Sequence, residues 1–254
     1  MRLFRYWPGP AALVLVLTAA GPAPAQAPPA SLPDARDLMA RHVEAIGGRE
    51  AVFAQSSTYA AGTMSMPDVG LSGKLELYAA KPNKVLMRTI MPGIGDFEEG
   101  FNGTVGWSVN PLTGPTLLQG VQLEQKKFDA DFHAGLKPDE RYESITTIEL
   151  ITFDGRPCYK VRLVRPGGGE DFFFYDAKTG LKAGTVGTRE GPMGPITATS
   201  VETDYKRFGS LLHPTKITTS VGPQRIVMTF ETLQFDKVDP AVFEPPAHIK
   251  ALIK

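Results

Sequence analysis

From about Ser57 onward the chain alternates apolar and polar residues. Leu75, Leu77 and Ala79 alternate with Lys74, Glu76 and Tyr78, and Val161 and Leu163 alternate with Lys160, Arg162 and Val164. Ile226, Met228 and Phe230 do the same with Val227, Thr229 and Glu231. A period of two sends successive side chains to opposite faces of a strand, so each run predicts a half-buried β-strand. Turn signals separate such runs: Asn102-Gly103, Asp154-Gly155, Gly167-Gly168-Gly169, Asp176 to Gly180, and Val221-Gly222-Pro223-Gln224. Tight turns join antiparallel neighbours only, so the pattern predicts a sheet of about eleven antiparallel strands.

Three segments keep a helical period instead. Asp34 stands where an N-cap would be, Leu38, Met39, His42, Val43 and Ile46 follow at helical spacing, and Gly47-Gly48 supplies a stop. A short second helix is expected over about Arg49 to Ala54. In mid-chain, Val121, Leu123, Phe128, Phe132 and Leu136 within Gln119–Lys137 predict an amphipathic helix lying on the sheet. The expected fold class is α+β: a curved antiparallel half-barrel sheet with helices packed on its concave face, in one domain over residues 34–254.

Arg2 and Arg5 precede an apolar run, Ala11 to Ala20, that is shorter than the roughly 20 residues a membrane-spanning helix needs. Ala25-Gln26-Ala27 then matches the small-x-small pattern cut by a signal peptidase. Residues 1–27 are therefore expected to be a cleavable signal peptide, residues 28–33 (PPASLP) a proline-rich leader, and the remainder a soluble protein of the periplasm. The one cysteine, Cys158, lies far from the cut, which excludes a lipid anchor there and an internal disulfide; a buried structural thiol is expected. Residues 1–27 hold two of the 27 basic residues and none of the 27 acidic ones, so the remainder carries a formal charge of −2. That is too near neutral to attract nucleic acid or anionic membrane in general.

Catalytic signatures are missing. His42, His133, His213 and His248 form no HxH or HExxH pair, and no G-x-S-x-G elbow, Walker loop or GxGxxG turn is present. Asp96, Glu98 and Glu99 cluster at a strand end, where solvation is the simplest role. No metal, cofactor or catalytic residue is expected, and the protein is read as a non-enzyme. What stands out is soft apolar surface. Met64 and Met66 share a face, as do Met87 and Met91, and Phe172, Phe173, Phe174 and Tyr175 run together. Flexible, polarisable methionine suits a site for variable apolar partners, and equally an ordinary core. Leu75, Leu77, Met87, Trp107, Phe172, Phe174, Met228 and Phe230 are the candidate lining of an apolar cavity.

Several stretches taken in order resemble a known family. They are Ile46-Gly47-Gly48; the run Gly73 to Lys84 (GKLELYAAKPNK); Glu99 to Trp107 (EGFNGTVGW); Phe128 to Phe132 (FDADF); Tyr175 to Leu181 (YDAKTGL); and Asp239 to Pro246 (DPAVFEPP). Together they resemble the LolA-like outer-membrane lipoprotein-sorting proteins over nearly all of residues 34–254. The resemblance implies a half-open barrel of about eleven strands lidded by helices. It also implies a carrier whose cavity holds the acyl chains of a lipoprotein or another lipid, loaded and unloaded by membrane-bound proteins and working as a monomer. In the best-known carriers an arginine in the cavity holds the lid shut, and Arg88, between Met87 and Thr89, is the position considered for it. Two other readings stand beside the carrier. One is an envelope scaffold with a filled core. The other is a hydrolase that would need Asp96, Glu98, Glu99 or His213 gathered in one pocket.

Overall fold

The first helix forms where its caps and apolar stripe place it. The Asp34 carboxylate accepts a hydrogen bond from the Arg36 amide at 2.7 Å, and α1 runs Ala35–Ala45 with Leu38, Met39 and Val43 buried. Gly47 and Gly48 then take positive φ angles, 138° and 91°, which a side chain would resist, and the chain turns into α2, Arg49–Ala54. The computed structural model describes residues 31–191 and 194–253. The expected signal peptide and residues 28–30 of the leader lie outside the described residues. Leu32–Lys254 pack as one compact unit.

Thirteen strands follow among the described residues, two more than the turn signals suggest. They are β1 Ser57–Met66, β2 Leu71–Ala80, β3 Lys84–Met91, β4 Gly95–Phe101, β5 Gly106–Asn110, β6 Gly114–Leu117, β7 Ser144–Phe153, β8 Arg156–Val164, β9 Glu170–Asp176, β10 Lys182–Gly191, β11 Gly194–Phe208, β12 Leu211–Val221 and β13 Gln224–Phe235. The short β5 and β6, with Gly106, Gly114 and Pro115, carry almost no alternation. All pair antiparallel in one sheet, in the order β6-β5-β4-β3-β2-β1-β13-β12-β11-β10-β9-β8-β7. Two meanders, β1–β6 and β7–β13, are thus joined where β1 pairs with β13. The two edge strands, β6 and β7, do not pair with each other, so the sheet stays open.

Between those edges the chain crosses the sheet. It forms α3 (Gly120–Asp129), a 3-10 turn (Ala134–Leu136) and the one-turn α4 (Pro138–Arg141). The single helix expected over Gln119–Lys137 is therefore cut short. After Ala130 the chain is drawn onto the sheet, where the Phe132 amide donates to the Pro82 carbonyl at 3.0 Å and His133 Nε2 lies 3.2 Å from the Gln55 carbonyl.

The position of α3 shows how strongly the sheet curls. Lys126 pairs with Glu99 on β4, and Asp129 pairs with Arg189 on β10. Those strands stand seven places apart in the sheet, about 34 Å if it were flat. A ten-residue helix is only about 15 Å long. Both pairs form because the sheet bends around α3 as a half-barrel.

The strand register sorts the side chains into two faces. The concave face carries α1, packed on Ile145, Val161, Leu163 and Tyr175. On the same face, through β12, β13 and β1–β4, lies a second cluster built on Ala60, Met64, Leu75, Met91 and Phe230. The outer face has its own cores. Phe243 and Ile249 of the C-terminal segment cover Leu86 and Trp107, while Cys158, Phe174 and Ala183 pack together under Phe153. Cys158 is fully buried and burial raises its thiol pKa, as a structural thiol requires.

Candidate functional site

The apolar cluster on the concave face is built by register. Met64 stands opposite Met228 of β13 and opposite Gly73 of β2. Because Gly73 has no side chain, the Met91 sulfur settles over it; a Cβ there would lie 2.8 Å from Met91 Sδ. The buried Thr89 hydroxyl donates to Met64 Sδ at 3.8 Å, so its proton is not left unpaired beneath the methionines. Around this floor Met66, Leu77, Met87, Ile94, Phe97, Ile217, Ile226 and Met228 are only half-buried. Five methionines therefore share one concave apolar surface that the protein does not fully cover.

The helical cover lies to one end of that surface. It touches β1–β5 at their upper ends: Gln55 just before β1, Pro82 in the β2–β3 turn, and Gly106 at the start of β5, beneath Leu123 of α3. Between the helices and strands β9–β10 it encloses a cavity of ≈ 250 Å³. Met39, Val43, Ile46, Phe128, Phe173 and Tyr175 give this cavity apolar walls, and Asp171, Lys182 and Arg189 add charge.

Those charges are matched inside the protein. Arg189 donates from Nη1 to the buried Asp171 at 2.6 Å, and from Nε and Nη2 to Asp129 of α3 at 3.2 and 3.1 Å. Burial opposes the guanidinium charge, but the bonds to Asp129 and Asp171 outweigh it and raise the Arg189 pKa. Lys182 pairs with Glu202 at 3.1 Å, and the Tyr205 hydroxyl donates to Glu202 at 2.9 Å. Arg141 lies 3.9 Å from the Phe128 ring centroid and pairs with Asp131 at 3.1 Å. His42 Nδ1 accepts from the Lys182 amide at 3.1 Å. Burial, with the nearby Lys182 charge, lowers the His42 pKa to about 3, so the ring is neutral at physiological pH.

Of the residues the sequence singles out, Leu75, Leu77, Met87, Met228 and Phe230 gather in the concave cluster. Trp107, Phe172 and Phe174 lie on the outer face. Trp107 is fully buried under the C-terminal segment with its indole N–H on Glu98 at 2.8 Å, and Phe174 stacks on Phe153 at 3.9 Å between centroids. In the aromatic run it is Phe173 and Tyr175 that face the cavity. Arg88 is an outer-face residue bonded to Glu98 at 2.8 Å, and the sheet arginine that grips the helical cover is Arg189. The acidic trio and His213 do not converge: Glu98 is on the outer face, Glu99 pairs with Lys126, and His213 sits by the Phe235 ring. Among the described residues no group of three His, Cys, Asp or Glu is placed to hold a metal ion.

An open antiparallel half-barrel, helix-covered at one end and apolar along its concave face, is the class this geometry defines. Solved structures share its fold. A DUF1329 family protein from Desulfovibrio piger superposes with a TM-score of 0.59 at 12% identity, over 84% of this chain and 98% of that one. A LolA superfamily protein from Nitrosomonas europaea gives 0.55 at 13% identity, over 84% and 99%. A domain assigned to the outer-membrane lipoprotein-sorting proteins, from Vibrio parahaemolyticus, gives 0.52 at 11% identity, over 83% and 97%. The chain has the LolA-like fold. No family model matches it, and no curated protein matches it in sequence.

Proposed function

We propose that this protein is a periplasmic carrier that holds lipid acyl chains against its methionine-rich concave face, without catalysis. The observation that carries the reading is the half-buried apolar tract formed by Met66, Leu77, Met87 and Met228 over a floor of buried Met64 and Met91, on the concave side of an open sheet. Apolar side chains left partly wet on a concave surface gain from a ligand that covers them, at about 0.8 kcal/mol per buried methylene. Methionine fits chains of different length and branching because its three torsions and polarisable sulfur adapt to the surface presented. Holding a chain this way requires no acid, base or nucleophile. The LolA-like fold supports the reading, and membrane-bound loading and receiving proteins are the partners it calls for. In this account the Arg189–Asp129 pair is the latch that keeps α3 on the sheet while cargo is absent or enclosed.

The test is to purify the protein without detergent from the periplasm of a Gram-negative host, extract it with organic solvent and identify the extract by mass spectrometry. Stoichiometric lipid or acylated peptide supports the carrier. An empty protein that also fails to bind a fluorescent fatty acid overturns it and leaves the concave face as plain core.

A further inference from the structure

Where the apolar tract opens, the sheet ends in three adjacent hairpin tips, and their composition is unlike that of the β2–β3 turn at the opposite end. The β1–β2 tip is Pro67-Asp68-Val69-Gly70, the β3–β4 tip Pro92-Gly93-Ile94, and the β5–β6 tip Pro111-Leu112-Thr113. Val69 is 55% exposed and Leu112 80% exposed, while Ile94 runs back into the methionine-rich cluster. The Asn110 side chain fixes the last turn by accepting from the Leu112 amide at 2.9 Å, which holds Leu112 outward. The tips are neighbours in space as well as in the sheet: a Cβ on Gly95 would lie 2.9 Å from Pro111. The one charge among them, Asp68, is neutralised by Arg225 of the adjoining β12–β13 hairpin at 2.8 Å. At the other end of the same strands Lys81 and Lys84 flank the β2–β3 turn and the helical cover closes the face.

We infer that these three tips are a docking rim for the surface of a lipid bilayer. Exposed apolar side chains on proline-stiffened turns of no net charge suit the interface between headgroups and acyl chains, and they surround the mouth of the tract rather than its roofed end. A bilayer apposed to the tips makes one continuous apolar path from its interior, past Ile94, to the methionine floor. The inference rests on the carrier reading for its purpose, not for its measurement. With no net charge at the rim, binding depends on apolar insertion and not on electrostatic attraction.

The test is flotation of the purified protein with vesicles of phosphatidylethanolamine and phosphatidylcholine, with and without phosphatidylglycerol. The expected result is binding that changes less than about threefold with anionic lipid or with salt between 50 and 500 mM. It should fall at least about tenfold in the Val69→Asp/Leu112→Asp variant. A charge-matched control at the opposite end, Thr104→Asp/Ser210→Asp, should bind as the unaltered protein does. Both altered pairs are exposed, so an unchanged melting temperature confirms the fold. Uptake of a monomeric fluorescent fatty acid from solution should survive in the rim variant while extraction of the same probe from vesicles is lost. Absence of vesicle binding by the unaltered protein, equal binding by the rim variant, or binding that collapses in high salt would each overturn the docking rim. Loss of fatty-acid uptake from solution by the unaltered protein would instead overturn the carrier reading and leave the flotation result standing on its own.

Discussion

Arg189 on β10 and Asp129 at the end of α3 are joined by two hydrogen bonds across the concave side of the sheet, at 3.1 and 3.2 Å. The same guanidinium holds Asp171, whose side chain is 3% exposed, from the other side. One arginine thus serves a buried partner and a partly exposed one, and the two bonds differ in kind.

That difference predicts unequal mutational costs. Asp129→Asn removes a pair whose members are 34% and 44% exposed, so it should lower stability by less than about 1 kcal/mol. Its visible effect should be faster hydrogen exchange in α3 and faster uptake of an acyl probe. Arg189→Ala strands Asp171 with only Arg165 Nε at 3.4 Å and should cost about 3–5 kcal/mol. Urea unfolding of the two variants measures both; equal costs would show that Arg189 acts as one surface bridge.

The apolar tract separates floor from ligand surface. Leu75 is 1% exposed, so Leu75→Ala should destabilise by about 2–5 kcal/mol whatever the protein binds. Met87 and Met228 are half-buried. Met87→Glu and Met228→Glu should keep cooperative unfolding and abolish fatty-acid binding. Unfolding of both would assign them to the core.

The buried histidines make stability depend on pH. His42 titrates near pH 3 when folded and near 6.5 when unfolded. Below about pH 6.5 the unfolded chain takes up a proton that the folded chain refuses, so stability falls as pH falls, by about 1.4 kcal/mol per unit until the folded ring titrates. Burial lowers the His213 pKa as well, and it acts in the same direction. Between pH 6 and 5, His42→Gln should reduce the slope of unfolding free energy against pH relative to the unaltered protein. An unchanged slope would mean that His42 is solvated.

On the outer face Gly100 lies directly beneath Trp107, where a Cβ would be 2.2 Å from the ring. Gly100→Ala should displace the indole, cost about 1–3 kcal/mol and shift Trp107 emission to the red. Unshifted fluorescence would show that the ring has room to move.

The fold was legible where one local rule decided it. Asp34 and Gly47-Gly48 bracket α1, and the change of period at Ser57 marks β1, because capping and alternation act over a few residues. Alternation also paired Leu75 with Leu77, and Phe172 with Phe174, as residues of one face. It has no means of saying which face is concave, since both faces of this sheet bury apolar clusters. Phe172 and Phe174 therefore fell on the outer side while Phe173 and Tyr175 took the cavity. The Arg189–Asp171–Asp129 network joins strands and helix up to 60 residues apart and exists only once the sheet has curled. The brevity of α3 is likewise a tertiary effect, set by the Phe132 amide finding Pro82.

On the carrier reading, acyl chains lie on the concave face of β13 and β1–β4. Irradiating the protein with a photoactivatable fatty acid and mapping the labelled peptides by mass spectrometry locates them. Labels should fall on the segments holding Met64–Met66, Leu77, Met87 and Met228 and be suppressed by excess unlabelled fatty acid. Labels confined to the outer-face segments around Trp107 or Phe174, or scattered without saturation, would contradict it.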